Sequence, residues 1–186
     1  MSCATARIVL AGICGAGKTT LARRLAAHHG LRHVEIDALY HGPNWQPRPQ
    51  FEADVESLTR GDGWIADSSS YPQVADLLWS RADTVVWLDL PRRQVMARVL
   101  RRSLRRALGR ERLWNGNRET PAAWLSRAHP LRLAWREHAA RRRQVADRLA
   151  ADPPPEVRLV HLTTAREAAD WLHRLTSETS EGALSP

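Results

Sequence analysis

The chain has 186 residues, of which 43% are apolar and 26% charged, and it carries a net charge of +8. That length suits one α/β domain, and the composition is too apolar for a chain disordered throughout. No run of 18 apolar residues occurs, the N-terminus reads straight into a strand rather than a secretory signal, and two cysteines make no disulfide framework. A reduced, cytoplasmic setting without a membrane partner is therefore expected.

The β-branched run at 6–11 predicts a buried strand ending at Gly12. Residues 19–29 place Leu21, Ala22, Leu25 and Ala26 on one helical face, and Gly30 stops that helix. Residues 33–36 read as a second strand ending at Asp37, and 38–50, with three prolines, as a loop. A short helix over 51–60 precedes a third strand, 64–66, ending at Asp67. A helix over 72–80 precedes a fourth strand, 84–88, ending at Asp89, which reads as an N-cap or turn residue before the Pro91-initiated helix. On that helix Val95, Met96, Val99, Leu100 and Leu104 form an apolar stripe, opposite Arg98, Arg101, Arg102 and Arg105. A polar loop with an Asn115-Gly116 turn follows at 110–120, then helix over 121–150 interrupted or restarted at Pro130. After a proline connector come a fifth strand, 157–162, and a helix over 165–175 opened by a Thr164/Glu167 capping box. The last ten residues, 177–186, read as a disordered tail.

Alternating strands and helices imply a parallel sheet covered on both faces, with ligands beyond the C-terminal strand ends. The charge is uneven: residues 92–148 carry +13 and the remainder −5. Such a segment suits phosphates on a small molecule or a nucleic-acid backbone, or forms a merely solvated face. Of 28 basic residues 27 are arginine, so the one lysine, Lys18, holds a position where a compact ammonium differs from a planar fork.

Gly12-Ile13-Cys14-Gly15-Ala16-Gly17-Lys18-Thr19 fits the phosphate-binding loop G-x-x-x-x-G-K-[ST], between a strand and a helix as the motif requires. Its glycines let successive N–H groups converge on phosphate oxygens, helped by the helix N-terminus. Lys18 supplies a mobile cation, Thr19 a magnesium ligand, and Thr20 completes the ATP-binding run. Cys14 reads as a small residue that fits a variable position.

With this loop, five strands and its length, the chain resembles the adenylate-kinase-like small P-loop kinases over nearly its whole extent. Four segments are similar to the DNA topology modulation proteins within that group. They are Asp37-Ala38-Leu39-Tyr40-His41 with Gly42-Pro43-Asn44-Trp45, Trp64-Ile65-Ala66-Asp67, Trp87-Leu88-Asp89-Leu90-Pro91-Arg92, and Leu113-Trp114-Asn115-Gly116-Asn117-Arg118-Glu119. The chain departs from the group at Ser68, where a glycine is common after the third-strand aspartate.

The resemblance implies a three-layer α/β/α domain over 1–176, with a five-stranded parallel sheet in order 2-3-1-4-5, an acceptor region at 38–71 and a helical lid at 108–120. It implies ATP and Mg²⁺ as cofactors and a small-molecule or nucleotide acceptor. Arg98 and Arg102 would approach the adenine and the phosphates, and Arg110, Arg112 and Arg118 would sit on the lid, with Lys18, Arg102 and Arg118 serving catalysis. Asp37 would take or orient the proton of a hydroxyl acceptor; alternatively it holds magnesium through water, as does Asp67. Tyr40, Trp45 and Tyr71 form either a stacking wall for a planar acceptor or ordinary loop packing. The leading reading is an ATP-dependent kinase. The alternatives are a nucleoside monophosphate kinase and a nucleotide-switched DNA-binding regulator.

Overall fold

The computed structural model describes residues 6–67, 71–109, 115, 130–151 and 157–181. Five strands, β1 (Arg7–Ala11), β2 (Arg32–Val34), β3 (Trp64–Ala66), β4 (Thr84–Leu88) and β5 (Arg158–Leu162), form one sheet in the order β2-β3-β1-β4-β5. Every pairing is parallel, with Ile8 opposite Ile65, Val9 opposite Val85 and Val86 opposite Val160. The expected order 2-3-1-4-5 is the observed one.

The helices are α1 (Lys18–His29), α2 (Ile36–Tyr40), α3 (Phe51–Leu58), α4 (Pro72–Arg81), α5 (Arg92–Gly109), α6 (Pro130–Ala151) and α7 (Ala165–Glu181). Successive strand residues point to opposite faces, and this alternation divides the core. Ile8, Leu10, Val86 and Leu88 pack under α1, α5 and α7, against Leu25, Val95, Val99 and Leu172. Val9, Ala11, Val85 and Trp87 face the other way, against Phe51 and Val55 of α3, Val74 and Leu78 of α4, and the C-terminal half of α6. Among the described residues no helix is long and apolar enough to cross a membrane.

Several local expectations are corrected. The second strand ends at Val34, and Asp37 lies in the first turn of α2 rather than at a strand end. The reason is long-range: the Asp67 carboxylate accepts the Ile36 N–H at 3.2 Å and turns the chain into a helix. The buried face of α5 is Val95, Val99 and Ser103, while Leu100 and Leu104 are exposed. Among the described residues Asp89 makes no capping bond to α5. Its carboxylate holds Arg142 Nε at 2.8 and 2.9 Å and His161 Nε2 at 3.1 Å, while the Pro91 carbonyl accepts the first helical N–H groups. The predicted capping box is extended by one residue: Thr164 Oγ1 accepts the Glu167 N–H, and the Glu167 carboxylate accepts the Thr163 N–H at 2.7 Å. α7 runs on to Glu181, past the expected end at Leu175 and into the expected tail.

Candidate active site at the phosphate-binding loop

The loop between β1 and α1 is shaped by what lies against it. Gly12 has φ +136°, and a Cβ there would stand 2.6 Å from the Leu88 carbonyl oxygen of β4. Gly15 has φ +87°, and its Cβ would lie 2.3 Å from Val99 Cγ2 of α5. Both positions combine a left-handed backbone with close approach, which only glycine supplies without strain. The same contact explains the rotation of α5: the Val95–Val99 side seats against the loop, and Leu100 and Leu104 are turned outward.

Lys18, the first residue of α1, is buried and curls back over its own loop. Its ammonium donates to Gly12 O at 2.8 Å and Ile13 O at 3.0 Å. Burial lowers its pKa below the ordinary lysine value; the Cys14 thiol and the Asp67 and Asp37 carboxylates oppose that shift, and Arg102 adds to it. These groups therefore share one electrostatic neighbourhood. Thr20 is exposed in the first turn of α1.

Two arginines of α5, expected near the nucleotide, reach the loop. Arg98 Nη1 donates to Ala16 O at 2.8 Å, and Arg102 Nη2 lies 3.1 Å from Cys14 Sγ. Cys14 is thus more than a small residue that fits, because its sulfur meets a guanidinium. Arg93, Arg101 and Arg105 remain exposed.

Asp67, buried at the end of β3, ties the loop to the neighbouring wall. Its Oδ2 accepts from Thr19 Oγ1 at 2.7 Å, its Oδ1 accepts the Ile36 N–H, and the His33 ring lies 3.7 Å from Oδ2. A hydroxyl and a carboxylate side by side are hard oxygen donors. They fit a magnesium ion that keeps waters and phosphate oxygens in its remaining positions. Among the described residues no group of three His, Cys, Asp or Glu side chains forms a fuller metal cage.

On the wall beside Asp67, Asp37 is half-buried and its Oδ1 accepts the Tyr71 hydroxyl at 2.7 Å. Burial, and then the Asp37 charge, push the Tyr71 pKa far above that of a free phenol, so Tyr71 is a donor at any working pH. Rings cluster around it: Tyr40 at 4.3 Å, Phe51 at 5.2 Å, and His41, whose Nε2 is 3.4 Å from the Tyr71 hydroxyl. Trp45 meets His41 edge-on at 5.2 Å and is 39% exposed, at the rim. Asn115, at φ 53°, donates from Nδ2 to the His41 carbonyl.

The structure thus brings Lys18, Thr19, Asp67, Arg98 and Arg102 together on the loop, and Asp37, Tyr40, Trp45 and Tyr71 on the adjoining wall. Arg110, Arg112, Arg118 and Ser68 lie outside the described residues, as does most of the expected lid. Sequence reasoning missed His33, His41 and Phe51, and it missed the pairing of Tyr71 with Asp37. Nothing in local spacing signals these, since each partner comes from a different element.

No family model matches the chain, and no curated protein matches it. Solved structures do. A shikimate kinase from Acinetobacter baumannii, in complex with shikimate, is 18% identical and matches over 98% of this chain and 97% of its own, with a TM-score of 0.56. A shikimate kinase from Aquifex aeolicus is 13% identical over 97% and 99% of the two chains, with a TM-score of 0.52. A deoxyadenosine kinase from M. mycoides is 10% identical over 94% and 98%, also with a TM-score of 0.52. The narrower likeness to DNA topology modulation proteins rests on sequence segments alone. Sheet order, helical layers and these likenesses together give the chain the fold of the small P-loop kinases.

Proposed function

We propose that this protein is an ATP-dependent phosphotransferase that moves the γ-phosphoryl group of ATP to a hydroxyl of a small molecule or nucleoside. One observation carries the reading: a phosphate-binding loop with a buried lysine stands beside a carboxylate, Asp37, fixed on the neighbouring wall. A hydroxyl acceptor gains from a group that takes its proton, whereas a phosphate acceptor is already ionised and asks for arginines.

On this reading the loop amides and Lys18 hold the β- and γ-phosphates, displacing the ammonium from the Gly12 and Ile13 carbonyls. Thr19 and Asp67 would hold magnesium, which supplies charge neutralisation on the phosphates. Asp37 accepts the acceptor's proton as the acceptor oxygen bonds to the γ-phosphorus, the bond to the β-phosphate oxygen breaks, and ADP leaves. Arg102, held beside Cys14, would face the phosphates, and Arg98 steadies the loop through Ala16. Arg118 is assigned to the transferring group by resemblance. Tyr40, Trp45 and Tyr71 would contact a planar acceptor.

Two observations weigh against the alternatives. A monophosphate kinase would set arginines where Asp37 stands. A DNA-binding regulator has no need of guanidinium groups on the phosphate-binding loop, where Arg98 and Arg102 both reach. The test is a screen with γ-labelled ATP over nucleosides, nucleotides and small alcohols. Label on a hydroxyl product is the expected result. Transfer to monophosphates alone would favour the first alternative. Steeply salt-dependent duplex binding without any transfer would favour the second.

A further inference from the structure

Among the described residues Asp37 is anchored on one side only. Its Oδ1 takes the Tyr71 hydroxyl, and no protein donor to its Oδ2 is found among the described residues. An aspartate in the first turn of a five-residue helix has freedom about χ1 and χ2, and a carboxylate that rotates presents either oxygen to the cleft. The phenol removes that freedom. Tyr71 precedes Pro72, the first residue of α4, and is the N-cap of that helix. Its ring packs with Tyr40, 4.3 Å away and tilted by 35°, and with Phe51, 5.2 Å away, in one three-ring cluster whose other two members lie 5.1 Å apart. The hydroxyl is thereby fixed by packing, and it is a donor toward the carboxylate.

We propose that Tyr71 is the positioning residue of the site: it holds Asp37 Oδ1 so that Oδ2 meets the acceptor's hydroxyl. This deepens the phosphotransferase reading and rests on it. The Tyr71 hydroxyl is directed at Asp37, so its effect on transfer runs through Asp37, while its ring remains part of the wall that would line the acceptor. The acceptor wall is thus preorganised from a third element: the residue that opens α4 fixes a side chain of α2. Phenylalanine at this position keeps the ring contacts and removes only the anchor.

Two measurements test this, one of them independent of any reaction. The sequence has two tyrosines, Tyr40 and Tyr71. Protein labelled with ¹³C at tyrosine Cζ therefore gives two signals, and Tyr71→Phe assigns them. The Tyr71 signal is expected to move in Asp37→Asn, where a charged acceptor is replaced by an amide, while the Tyr40 signal stays near its place. A Tyr71 signal indifferent to Asp37→Asn would overturn the contact.

The second measurement is a double-mutant cycle on turnover of ATP–Mg²⁺ with water as the acceptor. Tyr71→Phe is expected to lower the rate on the order of tenfold in the native background, with ATP affinity unchanged. In the Asp37→Asn background it is expected to do almost nothing. Equal losses in both backgrounds would mean that Tyr71 acts on its own, and the proposal would fall. A protein that turns over no ATP with water or any acceptor would sink the phosphotransferase reading, while the tyrosine spectrum would still decide the contact.

Discussion

The phosphate-binding loop and the wall beside it are assembled by opposite means. The loop is contiguous: eight successive residues, from Gly12 to Thr19, carry the conformation and the chemistry together. The wall is composite: Asp37 from α2, Asp67 from β3, Tyr71 at the start of α4 and Phe51 from α3 meet only after folding. A contiguous site is written in backbone requirements, and its glycines and its lysine tolerate little change. A composite site is written in side-chain contacts across elements. Its acceptor chemistry can change by substitution while the loop stays as it is.

The sharpest way to break this comparison is at Lys18. Lys18→Ala is expected to reduce phosphoryl transfer by more than about 10³-fold, since neither a substitute lysine nor a metal replaces a cation aimed at the transferring group. The fold should persist, and the pH dependence of stability should change in a defined direction. Burial lowers the native pKa of Lys18 below its unfolded value of 10.5, so between the two the unfolded chain holds more protons. Stability contributed through this group rises with pH across that window. In Lys18→Ala that alkaline rise should vanish, which melting curves taken between neutral pH and pH ~10 would show.

Asp67 belongs to both regions, and its replacement should damage both. Asp67→Asn is expected to weaken magnesium-dependent ATP binding by roughly 10- to 100-fold, the range seen when a group supporting a metal site is lost. It should also loosen α2, because the Ile36 N–H depends on the same carboxylate. Titration calorimetry with and without magnesium, alongside amide exchange at Ile36, separates the two effects. Unchanged exchange at Ile36 would detach the loop from the wall.

Adjacent positions in the loop give the next contrast. Gly15→Ala places a methyl 2.3 Å from Val99 Cγ2 at φ +87° and should cost about 2–4 kcal/mol of stability. Cys14→Ser, one residue away, should change ATP affinity less than about threefold, because a hydroxyl accepts from the Arg102 guanidinium where the sulfur does and the contact is kept. Denaturant melts and ATP titrations of the two variants read this directly.

The same difference explains what was legible in the sequence. β1, β4 and the loop were readable because their signals are local: β-branched runs, glycine spacing, a lysine followed by threonine. Sheet order followed from the resemblance that those signals support. Local sequence places Asp37 at a strand end and not on α2, because the donor that ends β2 early is Ile36 N–H and its acceptor, Asp67, follows β3. On α5 the apolar stripe predicted burial for Leu100 and Leu104, but the close seat against Gly15 selects the Val95, Val99 and Ser103 side. Local sequence marks Asp89 as a cap because a Pro91-initiated helix follows; its partners, Arg142 and His161, lie on elements far along the chain. Periodicity reports which residues are apolar, and tertiary contact decides which of them the neighbouring element can reach.

The central claim is that Asp37 serves a hydroxyl acceptor beside a loop that binds ATP without its help. The measurement that tests it most directly is kcat for the labelled-ATP reaction together with the ATP dissociation constant, in native protein and Asp37→Asn. The account predicts a fall in kcat on the order of 10²- to 10³-fold, with ATP binding within about threefold of native. An unchanged kcat in Asp37→Asn would contradict it, and would leave Asp37 a structural residue of α2.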